Sequence, residues 1–267
     1  MTRVALCTDS SSLLSSAAAA SLGVDVVPVP VTLDGEPFDE DMSSLDWFYE
    51  RLRARAAATT SQPSPAEFLR AYERAAARGA ETVVSIHLDS RASGVVSSAE
   101  TAALASPIPV TVVDTKTVSF GVAVCVRAAA QAAARHDSAG DAVMAAARLG
   151  SRMQNAFVAL GSPGGRVPTV GGWMLLRYAE GVATPVWECA SETEAVERIA
   201  SLVFRGERQC AAVGHAGRAL EATADRLAHR LADAESVLAV ERYRVGASVG
   251  AHTGADSFGA FWWPASS

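Results

Sequence analysis

The sequence predicts an α/β protein of two domains: an N-terminal parallel-sheet α/β domain and a C-terminal α/β domain with a largely antiparallel sheet. Three observations carry that expectation. Short β-branched runs alternate with helix-length stretches through the first half, as in strands joined by crossover helices. Strand-like runs crowd together near the C-terminus with connections too short for crossovers, which implies antiparallel pairing. Finally, 267 residues, 49% of them apolar and 19% charged, bury a substantial core. The composition changes near His136–Asp141, so the expected domains are 1–136 and 137–267.

Arg3–Cys7 reads as a short strand, followed by the hydroxyl-rich Thr8-Asp9-Ser10-Ser11-Ser12 and a helix to about Leu22. Val24–Leu33 reads as one extended run. Its Pro28 and Pro30 place it at a sheet edge, because proline cannot donate to a ladder. Asp34-Gly35 is a turn, and Ser43-Ser44-Leu45-Asp46 reads as a capping box opening a helix through Trp47, Phe48 and Leu52. Thr59-Thr60-Ser61-Gln62-Pro63 reads as a polar loop. Ser64-Pro65-Ala66-Glu67 is a second capping box, with proline at the first helical position, where a missing N–H costs nothing.

Thr82–Leu88 follows as a strand, Asp89–Gly94 as its loop and Val95–Ala105 as a helix. Val110–Val113 is a strand, Asp114-Thr115-Lys116 a loop and Val118–Arg135 a long helix. The second half reads as a helix to about Met153, strands at Gln154–Leu160 and Val182–Trp187, and a helix at Glu194–Phe204. A strand at Gln209–Gly214 and a helix at Ala219–Ala232 precede three final strands, Ser236–Tyr243, Val245–Ala251 and Phe258–Trp263.

Composition excludes several classes. Intrinsic disorder needs fewer apolar residues and more charge. A net charge of −6 argues against a nucleic-acid partner, since phosphate neutralisation requires a basic surface. Every long apolar run meets a charge well before about 20 residues, so no membrane span is expected. Met-Thr-Arg leads directly into a strand and does not read as a signal peptide, so a cytoplasmic protein is expected. Abundant alanine, with Lys116 the only lysine, suits a GC-rich bacterial genome. Cys7, Cys125, Cys189 and Cys210 form no CxxC pair and read as reduced, buried thiols. No Walker loop, GxGxxG or HExxH is present, and His87, His136, His215 and His229 have no ligand spacing, so neither metal nor cofactor is expected.

Candidate chemistry sits in the loops. Ligands of a parallel sheet bind at the carboxyl ends of its strands. Thr8–Ser12, Asp89–Ser93 and Asp114–Ser119 are rich in hydroxyls there, as is Thr59-Thr60-Ser61 before a helix. Hydroxyls and free N–H groups at helix N-termini suit a carboxylate or a phosphate. Gly250-Ala251-His252-Thr253-Gly254 brings a histidine between glycines at the end of an expected strand. Gly246-Ala247-Ser248-Val249-Gly250 matches the nucleophile-elbow pattern but lacks a following helix and a distant acid and histidine. As residues of one strand, Ser248 and His252 would lie about 13 Å apart, beyond the reach of a nucleophile and its base.

These motifs in this order resemble the DegV family, bacterial fatty-acid-binding proteins that include the FakB-type subunits of fatty acid kinase. The resemblance rests on Val4-Ala5-Leu6-Cys7-Thr8-Asp9-Ser10, on Thr59-Thr60-Ser61-Gln62-Pro63-Ser64-Pro65 with Glu67-Phe68, on Ser85-Ile86-His87-Leu88 and on Ser93-Gly94. Asp114-Thr115-Lys116, Gly164-Gly165-Arg166-Val167 and Gly250-Ala251-His252-Thr253-Gly254 complete it. The resemblance implies a non-catalytic protein that holds one long-chain fatty acid between its two domains. Thr59, Thr60, Ser93, Gly94 and His252 would meet the carboxylate, and Arg166 would engage a separate ATP-dependent fatty acid kinase. The stretch between Asn155 and Trp187 is shorter than the family pattern, with a helix missing around Pro168–Tyr178, which bears on how the acyl chain is covered. Two alternatives stay open: an acyl hydrolase or transferase using Ser93 or Ser248 with His252 and an acid such as Asp9, and a binder of another small carboxylate or phosphate.

Overall fold

A computed structural model describes residues 3–40, 44–136, 138–160, 172–204 and 208–265. In chain order the elements are β1 (Val4–Asp9), α1 (Ser16–Leu22), β2 (Val24–Val27), β3 (Val31–Leu33), β4 (Glu36–Phe38), α2 (Leu45–Arg53) and β5 (Ala58–Thr60). Then come α3 (Pro65–Ala77), β6 (Thr82–His87), α4 (Val95–Ala103), β7 (Val110–Asp114), α5 (Phe120–His136), α6 (Ala139–Arg152) and β8 (Gln154–Leu160). The chain continues through β9 (Trp173–Ala179), β10 (Val182–Cys189), α7 (Glu192–Val203), β11 (Gln209–His215) and α8 (Glu221–Ala232). It ends with β12 (Val237–Arg244), α9 (Ala247–Thr253) and β13 (Asp256–Pro264). Two compact units result, one of residues 1–30 and 61–151 and one of residues 31–60 and 152–267. Each unit thus draws on two stretches of chain, whereas the sequence reading placed a single boundary at residue 136.

The first unit is a four-stranded sheet in the order β2-β1-β6-β7, parallel throughout. Alternate residues of each strand face opposite layers. Leu6, Val84 and Ile86 pack against Val122, Cys125 and Val126 of α5 and against Ala142 and Ala146 of α6. Cys7 and Val83 face Phe68, Ala71 and Tyr72 of α3 and Val95 and Ala99 of α4. Helices on both faces explain why these strands are apolar on both sides. The second capping box forms as expected: the Ser64 N–H donates to the Glu67 carboxylate at 2.6 Å. β2 is an edge strand, but the extended run does not continue to Leu33. Pro28 and Pro30 interrupt it, and β3 pairs instead with β4 and β5 in the second unit.

The second unit holds a six-stranded sheet in the order β10-β9-β8-β13-β11-β12. Every pairing is antiparallel except β11 with β12, which α8 joins as a crossover. Val158, Val213, Phe258 and Ala260 pack on Ile199, Val203, Leu227 and Leu231 of α7 and α8. The same unit includes a small antiparallel sheet, β4-β3-β5, whose Val31 and Leu33 share a core with Phe48 and Tyr49 of α2 and Ala247 and Ala251 of α9.

Several expectations for this unit are corrected. Val245–Ala251 is not a strand: residues from Ala247 onward form α9. The final strands therefore do not pair in sequence, and β11 lies between β13 and β12. Thr59 and Thr60 belong to β5 rather than to a loop. Ser43, the first residue of the capping box expected at α2, lies outside the described residues, and Ser44 makes no side-chain cap. Ser44 is already in helical geometry and its hydroxyl donates to the Asp39 carbonyl, while Asp46 is held by Arg218 and Arg244. β9, absent from the sequence reading, occupies much of the stretch expected to be short of a helix. Its turn to β10 has positive φ at Glu180 and Gly181, as a tight hairpin of this hand requires.

Candidate functional site

In the first unit the connections from β1 and β6 run to opposite sides of the sheet, so the carboxyl ends of these neighbouring strands form a topological switch point. The loop after β6 brings Ser93 and Gly94 to the N-terminus of α4, with both residues half-buried. The Ser93 hydroxyl accepts a long hydrogen bond from the Val95 N–H at 3.4 Å. A Cβ at position 94 would lie 1.6 Å from the Gln62 side-chain oxygen, so glycine is what lets the Gln62 amide lie against this backbone.

Beneath these loops runs a hydrogen-bond chain that the sequence reading missed. The Tyr72 hydroxyl donates to Ser85 Oγ at 2.9 Å, Ser85 Oγ is 2.7 Å from His87 Nε2, and His87 Nδ1 is 2.7 Å from Asp9 Oδ2. Tyr72, Ser85, His87 and Asp9 are all fully buried. Asp9 also accepts from the Ser11 N–H at 3.1 Å and from the Ser11 hydroxyl, which ties the turn after β1 to the chain. The backbone carbonyl of His87 accepts from both the N–H and the hydroxyl of Thr115, fastening the loop after β7 as well. A signal was available: Ser85 and His87 are two apart in a strand and so share a face. Burial raises the Tyr72 hydroxyl well above its ordinary pKa and the neighbouring Cys7 thiol to about 12.

Serine, histidine and aspartate in this order match the connectivity of a nucleophilic triad. Ser85, however, sits in mid-strand, paired on one side with Cys7 and on the other with Val112, and is sealed from solvent. The Asp9 carboxylate, the acid that the hydrolase alternative would pair with His252, is occupied by His87 and Ser11.

In the second unit, Thr60 Oγ1 lies 2.9 Å from His252 Nε2, so two of the sequence-predicted residues meet directly. Thr59 points to the other face of the small sheet, where its hydroxyl is 2.7 Å from that of Thr32. Helix α9 is anchored by neighbours distant in sequence. The Tyr49 hydroxyl donates to the Val245 carbonyl at 2.7 Å, and its ring passes so close to Gly250 that a Cβ there would be 2.4 Å from the hydroxyl oxygen. The Glu40 carboxylate accepts from the N–H groups of Ala247 at 2.9 Å and Ser248 at 3.4 Å.

Because α9 is a helix, Ser248 and His252 stack one turn apart and not at opposite ends of a strand, and the 13 Å separation does not hold. They are still not bonded to each other: the buried Ser248 hydroxyl makes no hydrogen bond among the described residues. Arg166 lies outside the described residues, as does the whole Gly164–Val167 motif. The large sheet presents a second apolar surface on its face away from α7 and α8, where Ala159, Leu176 and Ala183 are buried with Phe157 packed against them. Among the described residues, no group of three or more histidine, cysteine or acidic side chains is placed to hold a metal ion, and no helix is long and apolar enough to cross a membrane.

The family model described as an uncharacterised protein of the DegV family matches residues 3–265. A DegV domain-containing protein of Streptomyces coelicolor is 31% identical over 274 aligned residues, covering 94% of this chain and 95% of that protein. A solved structure from Thermus thermophilus, described as fatty acid binding of a DegV family protein, superposes with a TM-score of 0.87 at 29% identity, over 98% of this chain and all of that one. DegV of Bacillus subtilis, described as a fatty acid binding protein, shares the fold with a TM-score of 0.87 at 24% identity, over 99% of this chain and 100% of that one. On the breadth of the family match and the full-length relative, this chain belongs to the DegV family.

Proposed function

We propose that this chain binds a long-chain fatty acid, with its carboxylate held by hydroxyl and N–H donors and its acyl chain buried against apolar side chains. The observation that carries the reading is the Thr60–His252 pair, which joins two separate family motifs in one half-buried polar site. The Thermus thermophilus relative, similar over nearly the whole chain and described as binding fatty acid, supports the same ligand class. In the first unit, Ser93 and Gly94 at the head of α4 offer a hydroxyl and a backbone donor to an anion, favoured by the helix dipole. The resemblance also assigns Thr59 to the head group. Its place beside Thr32 makes it the weakest of the assigned donors.

Energetics divide the work between tail and head. Burying an acyl chain contributes about 0.8 kcal/mol per methylene, or roughly 10 kcal/mol before ordering costs for a membrane-lipid chain. The polar donors then orient the carboxylate and exclude uncharged lipids. The protein acts as a carrier and not as a catalyst, a reading supported by the enclosure of its serine–histidine–aspartate chain. A separate ATP-dependent kinase would receive the carboxylate, with Arg166 at the contact. Reduced cysteines throughout the described chain are compatible with a cytoplasmic setting.

Mass spectrometry of ligand extracted from protein purified without added lipid tests the reading. A saturated or monounsaturated fatty acid of membrane-lipid length is expected. Repeated recovery of only a polar carboxylate or phosphate overturns it.

A further inference from the structure

We propose that Ser248 is a third donor to the ligand carboxylate, beside Thr60 and His252; this rests on the fatty-acid reading above. Ser248 is 4% exposed and its hydroxyl has no hydrogen-bond partner among the described residues. A buried hydroxyl left unpaired loses its hydration with no return, so its retention calls for a partner that the described residues do not supply. The usual local use of a serine near a helix start, capping free N–H groups, is already taken. The Glu40 carboxylate accepts from the N–H groups of both Ala247 and Ser248.

The geometry of α9 says which way this hydroxyl serves. Positions 248 and 252 stack one turn apart on one side of the helix, with about 5–6 Å between their Cβ atoms. Gly250 lies on the other side, against the Tyr49 ring. The side shared by Ser248 and His252 is therefore the one where His252 meets Thr60. A carboxylate has two oxygens and can span two donors at this spacing, one oxygen on each. Its second oxygen would complete the hydrogen bonding of Ser248. The match to the nucleophile-elbow pattern around Ser248 thus acquires a different meaning: the serine binds the acid and attacks nothing.

The test uses delipidated full-length protein titrated with palmitate and with hexadecanol, which has the same chain length but no carboxylate. In Ser248→Ala, palmitate affinity should fall at least about tenfold, the scale of one hydrogen bond to a charged group. Hexadecanol affinity should change less than about twofold. The ligand-free variant should melt no lower than the parent, because an unpaired buried hydroxyl has been removed. The carboxyl resonance of palmitate labelled with carbon-13 at C1 should shift between the two proteins. Unchanged palmitate affinity and resonance, or equal losses for acid and alcohol, overturn the role of Ser248 while leaving fatty-acid binding intact. Failure of the parent protein to bind palmitate overturns the fatty-acid reading, and this proposal with it.

Discussion

Thr60 Oγ1 and His252 Nε2 are separated by 192 positions in the chain and by 2.9 Å in space. The small sheet β4-β3-β5 presents the threonine, and α9, held by Tyr49 and Glu40, presents the histidine. The pair exists only because residues 31–60 fold with the C-terminal part of the chain.

Adjacent threonines should therefore behave differently. Thr60→Val should weaken fatty-acid binding by about 1–3 kcal/mol, the range for losing a hydrogen bond to a charged group. Thr59→Val should stay within about 0.5 kcal/mol, because its hydroxyl serves Thr32 on the opposite face. Dissociation constants for one fatty acid across both variants decide the matter, and equal losses would contradict the division of faces.

The buried chain through Asp9 and His87 should govern the stability of the first unit. His87→Leu removes a partner from a carboxylate that is fully buried, a loss of about 3–5 kcal/mol by analogy with broken buried pairs. Ser85→Ala, towards the neutral Tyr72 end, should cost only about 1–2 kcal/mol. Urea denaturation of the two variants reads the difference. A His87→Leu protein as stable as its parent would show that Asp9 finds another partner.

Acid should weaken the second unit through His215. Burial at the end of β11 lowers its pKa below the ordinary 6.5, although the Gly217 carbonyl, 3.2 Å from Nδ1, acts in the opposite sense. The unfolded chain then binds a proton that the folded protein resists. Stability contributed by the neutral ring is complete above about pH 6.5 and declines as pH falls towards the lower folded value. Melting temperatures between pH 7.5 and 5 should fall less steeply in His215→Gln than in the parent. Parallel profiles would remove His215 from the account.

Much of the fold was legible in local pattern. β-branched runs alternating with helix-length segments specify a parallel sheet, and β1, β6 and β7 with α3, α4 and α5 appear where that alternation puts them. Ser64 and Glu67 meet within one helical turn, so their capping box needs no distant partner. Pro28 marks the end of an edge strand by an intrinsic property of its ring. The segments bearing Thr60, Ser93 and His252 were identifiable as motifs, because a family resemblance is itself a property of the sequence.

Tertiary structure decided what depends on contacts across the chain. Val245–Ala251, with its spaced valines, satisfies a strand pattern as well as a helical one. It becomes α9 because Glu40 occupies its first N–H groups and the Tyr49 ring fits against Gly250, partners about 200 positions away. Thr59 and Thr60 look like loop residues until β3 supplies a ladder, and that ladder sends their side chains to opposite faces. His87 looks like an isolated histidine until the parallel register of β1 and β6 brings Asp9 to its ring. Backbone propensity and capping act within a few residues and are written in the sequence locally, whereas a buried polar group finds its partner only after strands and helices from distant parts of the chain have packed.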